Sequence, residues 1–125
     1  MASLLVVDDD PDGMEALCSY LSKFGHEVRC VPNGKEALKS VLDATPDLVI
    51  LDLFMPQMDG ANFLEITRSY LRLQSLPVVI VTGLPDSPLV ERARHLKVNA
   101  ILVKGKATFD DILTAVQTEL HRAPM

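Results

Sequence analysis

Cysteine, basic side chains and long apolar runs are all scarce in this sequence, and each scarcity excludes a class of protein. The two cysteines, Cys18 and Cys30, have neither the spacing of a metal-ligand motif nor that of a redox pair. We therefore expect both to be reduced and buried as small apolar side chains. Hydrophobic residues make up 48% of the 125 residues, enough for a core that needs no disulfide or metal.

Basic residues are outnumbered by acidic ones, 12 against 17, and the formal net charge is -5. Nucleic-acid-binding surfaces hold phosphates with clusters of Lys and Arg, so we expect no direct contact with nucleic acid. The apolar stretch Leu4–Val7 is followed at once by three aspartates, which excludes a signal-peptide core or a membrane span there. These features predict a cytoplasmic protein with no membrane contact.

Short apolar runs recur along the chain and predict strands, because they are too short for helices. Their consecutive apolar positions indicate that both faces are covered, as in a parallel sheet between two layers of helices. An alternating segment, Glu27–Val31, suits a strand at the sheet edge. The four apolar runs are Leu4–Val7, Leu48–Leu51, Val78–Val81 and Ala100–Val103.

Helical patterns fill the intervals between these strands. Strand and helix alternate five times, which predicts one α/β domain over residues 1–125. Its expected fold is a flavodoxin-like, doubly wound, five-stranded parallel sheet in the order 2-1-3-4-5 with five helices. The helices are predicted from Asp10–Pro11 to Gly25, from a cap at Asn33 to a limit at Pro46, from Gly60 towards Leu71, from Ser87 to Leu96, and from a cap at Thr108 to Leu120.

Polar side chains follow the predicted strands at their carboxyl ends, where ligands bind in such sheets. Three carboxylates packed together would repel one another, so a divalent cation is expected among them. Magnesium fits best, because it prefers oxygen ligands, and His26, His95 and His121 are scattered and expected to face solvent. The residues at the strand ends are Asp8, Asp9, Asp52, Thr82 and Lys104.

A carboxylate beside such a metal can act as a nucleophile towards phosphorus, while the metal and a cation neutralise charge on the phosphoryl oxygens. Lys104 and Thr82 are placed to make those contacts. Simpler interpretations exist for each residue alone: Asp8 and Asp9 suit turns or caps, and Lys104 could be an ordinary solvated lysine. Asp10, directly before Pro11, is interpreted as a helix N-cap and left out of the site.

Five segments together resemble the response-regulator receiver family. LVVDDD at residues 5–10 and LDLFMPQMDG at residues 51–60 carry most of the similarity. PNGKEAL at 32–38, PVVIVTG at 77–83 and AILVK at 100–104 extend it over essentially the whole chain in the right order. The resemblance implies that Asp52 accepts a phosphoryl group and that Asp9 and Asp52 ligate Mg²⁺ directly.

The same resemblance implies roles for the remaining site residues. Asp8 would hold the metal through water, and Phe54 would offer it a backbone carbonyl. Thr82 and Lys104 would each contact a phosphoryl oxygen. A histidine kinase or phosphotransfer protein would donate the phosphoryl group, and a downstream protein that the sequence does not identify would recognise the modified surface. The chain would be no enzyme beyond its own phosphorylation and dephosphorylation.

The loop after Asp52, residues 55–60, is expected to position the site, with proline fixing one dihedral and Gly60 accepting a positive one. Departures from the family pattern are Gly105, where proline is usual, and Ile101, where an aromatic residue is usual. They support one alternative, a pseudo-receiver that acts as an interaction module without phosphorylation. A second alternative, a phosphatase of the haloacid-dehalogenase type, lacks its general acid, because Phe54 occupies that position.

Overall fold

The computed structural model describes residues 2–122, so Met1 and residues 123–125 at the ends of the expected domain lie outside the described residues. The described chain alternates strands and helices as predicted. The strands are β1 (Ser3–Val7), β2 (Glu27–Val31), β3 (Leu48–Leu51), β4 (Val78–Thr82) and β5 (Ala100–Val103). The helices are α1 (Pro11–Ser22), α2 (Gly34–Asp43), α3 (Gly60–Arg68), α4 (Pro88–Arg94) and α5 (Phe109–Leu120).

The five strands form one parallel sheet in the order β2-β1-β3-β4-β5, which confirms the predicted topology. β3 and β4 are buried along their whole length and β1 along all but its first residue, because helices cover both faces of the sheet. β2 lies at one edge, as its alternating pattern indicated. β5 forms the other edge and is half-buried throughout.

Two apolar clusters separate the faces of the sheet. One side packs α2, α3 and α4 around fully buried residues such as Phe63 and Leu64. The other side packs α1 and α5 around Leu21 and Val116. The core is therefore two layers of apolar side chains, one on each face of the central strands. Because the strands are parallel, their carboxyl ends all meet at the same edge of the sheet.

Local signals account for where most helices begin. The side chain of Asn33 accepts a hydrogen bond from the amide of Glu36, and Thr108 forms a full capping box with Asp111, as their three-residue spacing predicts. The chain leaves α1 through Gly25 at φ +87°, a conformation that glycine adopts without steric cost.

Two predicted helices extend too far in the sequence-based interpretation. α3 ends at Arg68 rather than near Leu71, which lies in a short 3₁₀ turn, Leu71–Leu73. α4 ends at Arg94 rather than Leu96. In both places the apolar periodicity continues past the helix, because leucines of the connecting segment still pack against the core.

The expectation for the cysteines is wrong in part. Cys18 is buried in α1, but Cys30 on the edge strand β2 is exposed. Their sulfur atoms lie within bonding distance, with the Cα atoms 7.0 Å apart, and they form a disulfide in this structure. The pair was missed because sequence spacing does not report that α1 packs directly beside β2.

The histidines agree with expectation except for His26. His95 and His121 are exposed, whereas His26 is half-buried and its Nδ1 atom is enclosed without a hydrogen-bond partner among the described residues. No helix among residues 2–122 combines the length and the hydropathy needed to cross a membrane.

Candidate functional site

The carboxyl ends of β1 and β3 bring three aspartates together. Asp8 and Asp9 follow Val7 directly, and Asp52 follows Leu51. The backbone amide of Asp52 donates to the carbonyl of Val7 at 2.9 Å, so the ladder between the two strands sets the position of Asp52 beside the end of β1. The burial of the flanking strands makes this placement rigid.

A carboxylate oxygen from each of Asp8, Asp9 and Asp52 can be chosen so that all three lie within 4.8 Å of one another. Asp52 is 7% exposed, Asp8 is half-buried and Asp9 is exposed. All the donors are hard oxygen atoms, and the exposed side of the cluster leaves room for water. This donor set fits Mg²⁺, which prefers oxygen ligands and retains several waters.

Lys104, which follows β5, is the cation of the site. Its Nζ lies 3.1 Å from Oδ2 of Asp8 and 3.3 Å from Oδ2 of Asp52. The backbone amide of Lys104 donates to the carbonyl of Thr82 at 2.7 Å, so the side chain extends from a position tied to β4. One ammonium thus bridges two of the three carboxylates.

Burial is the largest influence on the Asp52 carboxyl and raises its pKa. The Phe54 amide, which donates to Oδ1 of Asp52 at 3.2 Å, and the charge of Lys104 both lower that pKa, while the charge of Asp8 raises it. The net result is a pKa above the ordinary aspartate value. The ionised carboxylate is therefore held in surroundings that favour neutralisation of its charge.

The pKa of Lys104 is also raised, but by its acidic neighbours and not by burial. Burial alone would lower the pKa of its ammonium, but the hydrogen bond to Asp8 and the charges of Asp52 and Asp8 raise it above the ordinary value. The lysine is therefore fully protonated at neutral pH and available to pair with an anion.

Thr82, at the end of β4, is fully buried. Its hydroxyl oxygen accepts a hydrogen bond from the amide of Leu84 at 3.1 Å. That bond uses a lone pair and leaves the hydroxyl proton free to be donated. Thr82 therefore stands on the strand next to β3 with a donor to offer.

The loop between Asp52 and α3 is tighter than its sequence suggests. A Cβ on Gly60 would lie 2.7 Å from the carbonyl oxygen of Asp52 and 2.8 Å from the Cα of Leu53, so only glycine allows this close approach. The positive φ expected at Gly60 falls on Gln57 instead, at 69°. Gly60 is needed for space, not for a left-handed conformation.

Two further side chains near the site behave differently from expectation or escaped it. Asp10 occupies the N-cap position of α1, but its side chain makes no capping hydrogen bond. Arg92 of α4 donates to Asn62 and to Glu65 of α3, each at 2.9 Å, and Asn62 in turn contacts the N-cap Asp59. This chain of contacts joins α4 to the loop after Asp52, and only long-range packing reveals it.

The structure describes both positions at which the sequence departs from the family pattern, Gly105 and Ile101. The peptide bond between Lys104 and Gly105 is trans, and Gly105 adopts φ +89°, which glycine tolerates better than other residues. Ile101 is half-buried in β5 and packs against the cluster beneath α2, α3 and α4. An aliphatic side chain thus occupies this position of β5, opposite Ile80 of β4.

The topology and the acidic edge define an α/β protein with its ligand site where the winding of the sheet reverses. A family model described as "Response regulator receiver domain" matches residues 4–117, and the chain belongs to this family of two-component signalling proteins. Transcriptional regulatory protein GltR of Pseudomonas aeruginosa is 32% identical over 122 residues, 97% of this chain and 50% of GltR. The chain thus spans about half the length of this curated relative.

Solved structures agree with the family and its fold. The receiver domain of a signal transduction histidine kinase from Syntrophus aciditrophicus has a TM-score of 0.88 and 28% identity, covering 99% of this chain and 96% of that one. Chemotaxis protein CheY4 of Vibrio cholerae has a TM-score of 0.85 and 28% identity, covering 94% and 98%. The similarity therefore extends over the whole described domain.

Proposed function

We propose that this domain accepts a phosphoryl group on Asp52. The observation that carries the proposal is the bridging of Asp8 and Asp52 by the Lys104 ammonium, with distances of 3.1 and 3.3 Å. A buried carboxylate beside a fixed cation can attack phosphorus while that cation neutralises charge on the equatorial oxygens. Membership of the receiver family supports the same reaction.

Mg²⁺ is the proposed metal, held directly by Asp9 and Asp52, through water by Asp8, and by the backbone carbonyl of Phe54. When bound, it would neutralise charge on the phosphoryl group during transfer. The proximity of the three carboxylates supports this assignment. Receiver domains typically bind the ion at such an acidic cluster.

Thr82 and Lys104 would hold the transferred group. The hydroxyl proton of Thr82 would be donated to one phosphoryl oxygen, and the Lys104 ammonium would pair with another. Lys104 would then exchange its contact with Asp52 for one with the phosphoryl oxygen. The negative charge of the phosphoryl oxygens would thereby be compensated by side chains that are already in position.

Partners and location belong to the same proposal. A histidine kinase or phosphotransfer protein would donate the phosphoryl group, in the cytoplasm, and a protein target would bind the altered surface. We propose one receiver unit over residues 1–125, with no turnover of other substrates. The excess of acidic residues supports a protein partner over a nucleic acid.

Intact-mass spectrometry after incubation with Mg²⁺ and acetyl phosphate tests the proposal. We expect one phosphoryl group on the native chain and on Asp43→Asn, which changes an exposed aspartate at the end of α2. Asp52→Asn and Asp9→Ala should take up none. Equal labelling of Asp52→Asn would refute the assignment of the acceptor.

The pseudo-receiver alternative predicts a different result from the same experiment. In that case neither the native chain nor Asp43→Asn would be labelled, and beryllofluoride would cause no change in the amide spectrum around Asp52. Repeated turnover of a phosphate monoester would instead indicate a phosphatase. One labelling event with slow loss supports the receiver proposal alone.

A further inference from the structure

A small cavity of about 190 Å³ lies between α1 and α5, directly beneath the carboxylate site. Its walls are mainly aliphatic and come from three strands and both helices. Such a surface is favourable for an apolar group that leaves water. The larger apolar side chains that line it are Val6, Val7, Leu17, Ile50, Val81, Phe109 and Ile112.

The cavity exists because three of its lining residues have little or no side chain. Gly13 of α1, Gly105 and Ala107 all border it. A Cβ built on Gly105 would meet no heavy atom within 4 Å, so open space continues beside that residue. Larger side chains at Gly105 or Ala107 would project into this space.

Acidic groups dominate the mouth of the cavity. Asp8, Asp10, Asp52 and Lys104 line it. Asp8 and Asp52 share Lys104 between them, whereas Asp10 makes no capping bond to its helix. The Asp10 carboxylate lies over Gly13, with Oδ2 2.7 Å from where a Cβ of that glycine would be. It is thus held at the cavity wall.

The charge at this end of the sheet favours a cationic occupant. Asp9 completes a set of four carboxylates at these strand ends, and Lys104 is the one cation that pairs with any of them among residues 2–122. A divalent cation together with Lys104 would neutralise Asp8, Asp9 and Asp52. The remaining negative charge would be that of Asp10. An ammonium group beside Asp10 would form a charge-assisted hydrogen bond, whereas a carboxylate ligand at the same position would be repelled by Asp10.

We propose that this cavity binds a compact primary amine, with its ammonium on Asp10 and a ring-sized apolar body between α1 and α5. An apolar protein cavity of about 150 Å³ holds one benzene molecule, so the present volume accepts a six-membered ring and one further carbon. The binding site is distinct in chemistry from phosphorylation at Asp52, and the inference does not rest on the proposed function.

Titration with benzylamine, followed by the methyl signals of labelled Ile, Leu and Val, tests the proposal. Saturable shifts should occur at Val6, Ile50 and Ile112, at about millimolar ligand as befits so small a molecule. Leu64 and Val90, on the other face of the sheet, should not move. Benzyl alcohol should bind more weakly and benzoate not at all; equal binding of benzoate would overturn the proposal.

Two substitutions separate the apolar body from the ammonium. Ala107→Leu, which places three more carbons in the cavity, should abolish the shifts, and Ala107→Val serves if that variant does not fold. Asp10→Asn should weaken benzylamine about tenfold and leave benzyl alcohol unchanged. Native affinity in the Ala107 variants, or an equal loss for both ligands in Asp10→Asn, would refute it.

Magnesium provides a third comparison. Because Asp10 is not one of the three clustered carboxylates, saturating Mg²⁺ should raise the Kd for benzylamine through its charge but should not displace the amine from Asp10. Complete displacement by Mg²⁺ would place the ammonium among Asp8, Asp9 and Asp52 and overturn the assignment to Asp10. All of these measurements are independent of phosphoryl transfer, so this proposal and the proposed function fail separately.

Discussion

The two ends of the parallel strands differ in how their charged side chains are compensated. We call these ends the carboxyl edge and the amino edge of the sheet. At the carboxyl edge, Asp8, Asp9 and Asp52 lie together, and among residues 2–122 Lys104 is the one basic side chain that pairs with them. At the amino edge the buried charge is matched: Glu119 is 6% exposed, and Arg122 binds both of its carboxylate oxygens, at 2.8 and 2.9 Å. The carboxyl edge thus keeps excess negative charge, whereas the Glu119 carboxylate at the amino edge is neutralised by Arg122.

Arg68 extends the same contrast at the amino edge. Its guanidinium donates to the carbonyls of Leu73, Leu96 and Lys97 at 2.8 to 2.9 Å, and burial lowers its pKa. These bonds tie the end of α3 to the segment before β5. The Arg68 side chain forms hydrogen bonds with backbone carbonyls of this chain, whereas the carboxylates at the carboxyl edge form the candidate ligand site. We therefore expect substitutions at the amino edge to affect stability and those at the carboxyl edge to affect chemistry.

Removing the Arg68 side chain should have the largest effect on stability. Arg68→Ala removes a donor from three carbonyls, of which that of Leu73 still accepts from the amide of Leu76, and we expect the free energy of unfolding to fall by about 3 kcal/mol. Arg94→Ala is the control, since Arg94 forms only an exposed pair with Glu91 at 3.6 Å and should cost less than about 0.5 kcal/mol. Urea denaturation measures both. Equal losses of unfolding free energy in the two variants would contradict the stabilising role given to the carbonyl bonds of Arg68.

Filling the space at Gly60 should damage both properties. The added methyl of Gly60→Ala would press on the backbone of Asp52 and Leu53, so we expect a loss of about 2 kcal/mol and weaker uptake of beryllofluoride. Gly83→Ala, whose Cβ would meet no atom within 4 Å, should retain its stability. Denaturation and fluorine NMR measure the two effects, and unchanged uptake in Gly60→Ala would contradict the role given to the loop.

Removing the acceptor's charge should stabilise the domain. Because burial raises the pKa of Asp52, the folded chain binds the proton more tightly than the unfolded chain, and stability falls as pH rises from the ordinary value of 3.8 to the raised one. In metal-free buffer at pH 7, Asp52→Asn should therefore unfold at higher urea than the native chain. The gain should be smaller than the loss in Gly60→Ala.

The pH dependence separates this effect from a change in packing. As the pH falls below 3.8, the carboxyl becomes protonated in the folded and in the unfolded chain, and the difference between the two proteins should vanish. Asp43→Asn, at an exposed position, should show no gain at either pH. A gain in Asp52→Asn that is constant with pH would show that charge is not its cause.

The smallest effect on the fold should come from the apolar neighbours of the acceptor. Phe54 is half-buried and Leu84 is 57% exposed, and both should hinder an attacking water. We expect Phe54→Asn with Leu84→Glu to shorten the life of the aspartyl phosphate severalfold, with only a small loss of stability from the contacts of Phe54 with the core. Leu71→Glu, at an exposed leucine of the amino edge, should leave it unchanged. The decay of phosphorylated protein, followed by mass, measures this; unchanged decay would contradict the steric account.

Short-range patterns in the sequence determined most of the architecture. Consecutive apolar positions predicted β1, β3 and β4 as buried strands, and the caps at Asn33 and Thr108 predicted the starts of α2 and α5. These signals are readable because a strand, a helix turn and a cap each involve residues only a few positions apart. The same strand ends predicted the cluster of aspartates and Lys104 as a candidate site.

Other features depend on contacts that no local pattern records. The pairing of Cys18 with Cys30, the three carbonyl bonds of Arg68 and the close approach at Gly60 each join segments that only packing brings together. The raised pKa of Asp52 likewise depends on burial, not on its sequence neighbours. Local patterns therefore predict which elements form and which side chains lie at the ends of the strands. Tertiary structure alone decided which charges are compensated, because that depends on distances between groups far apart in the chain.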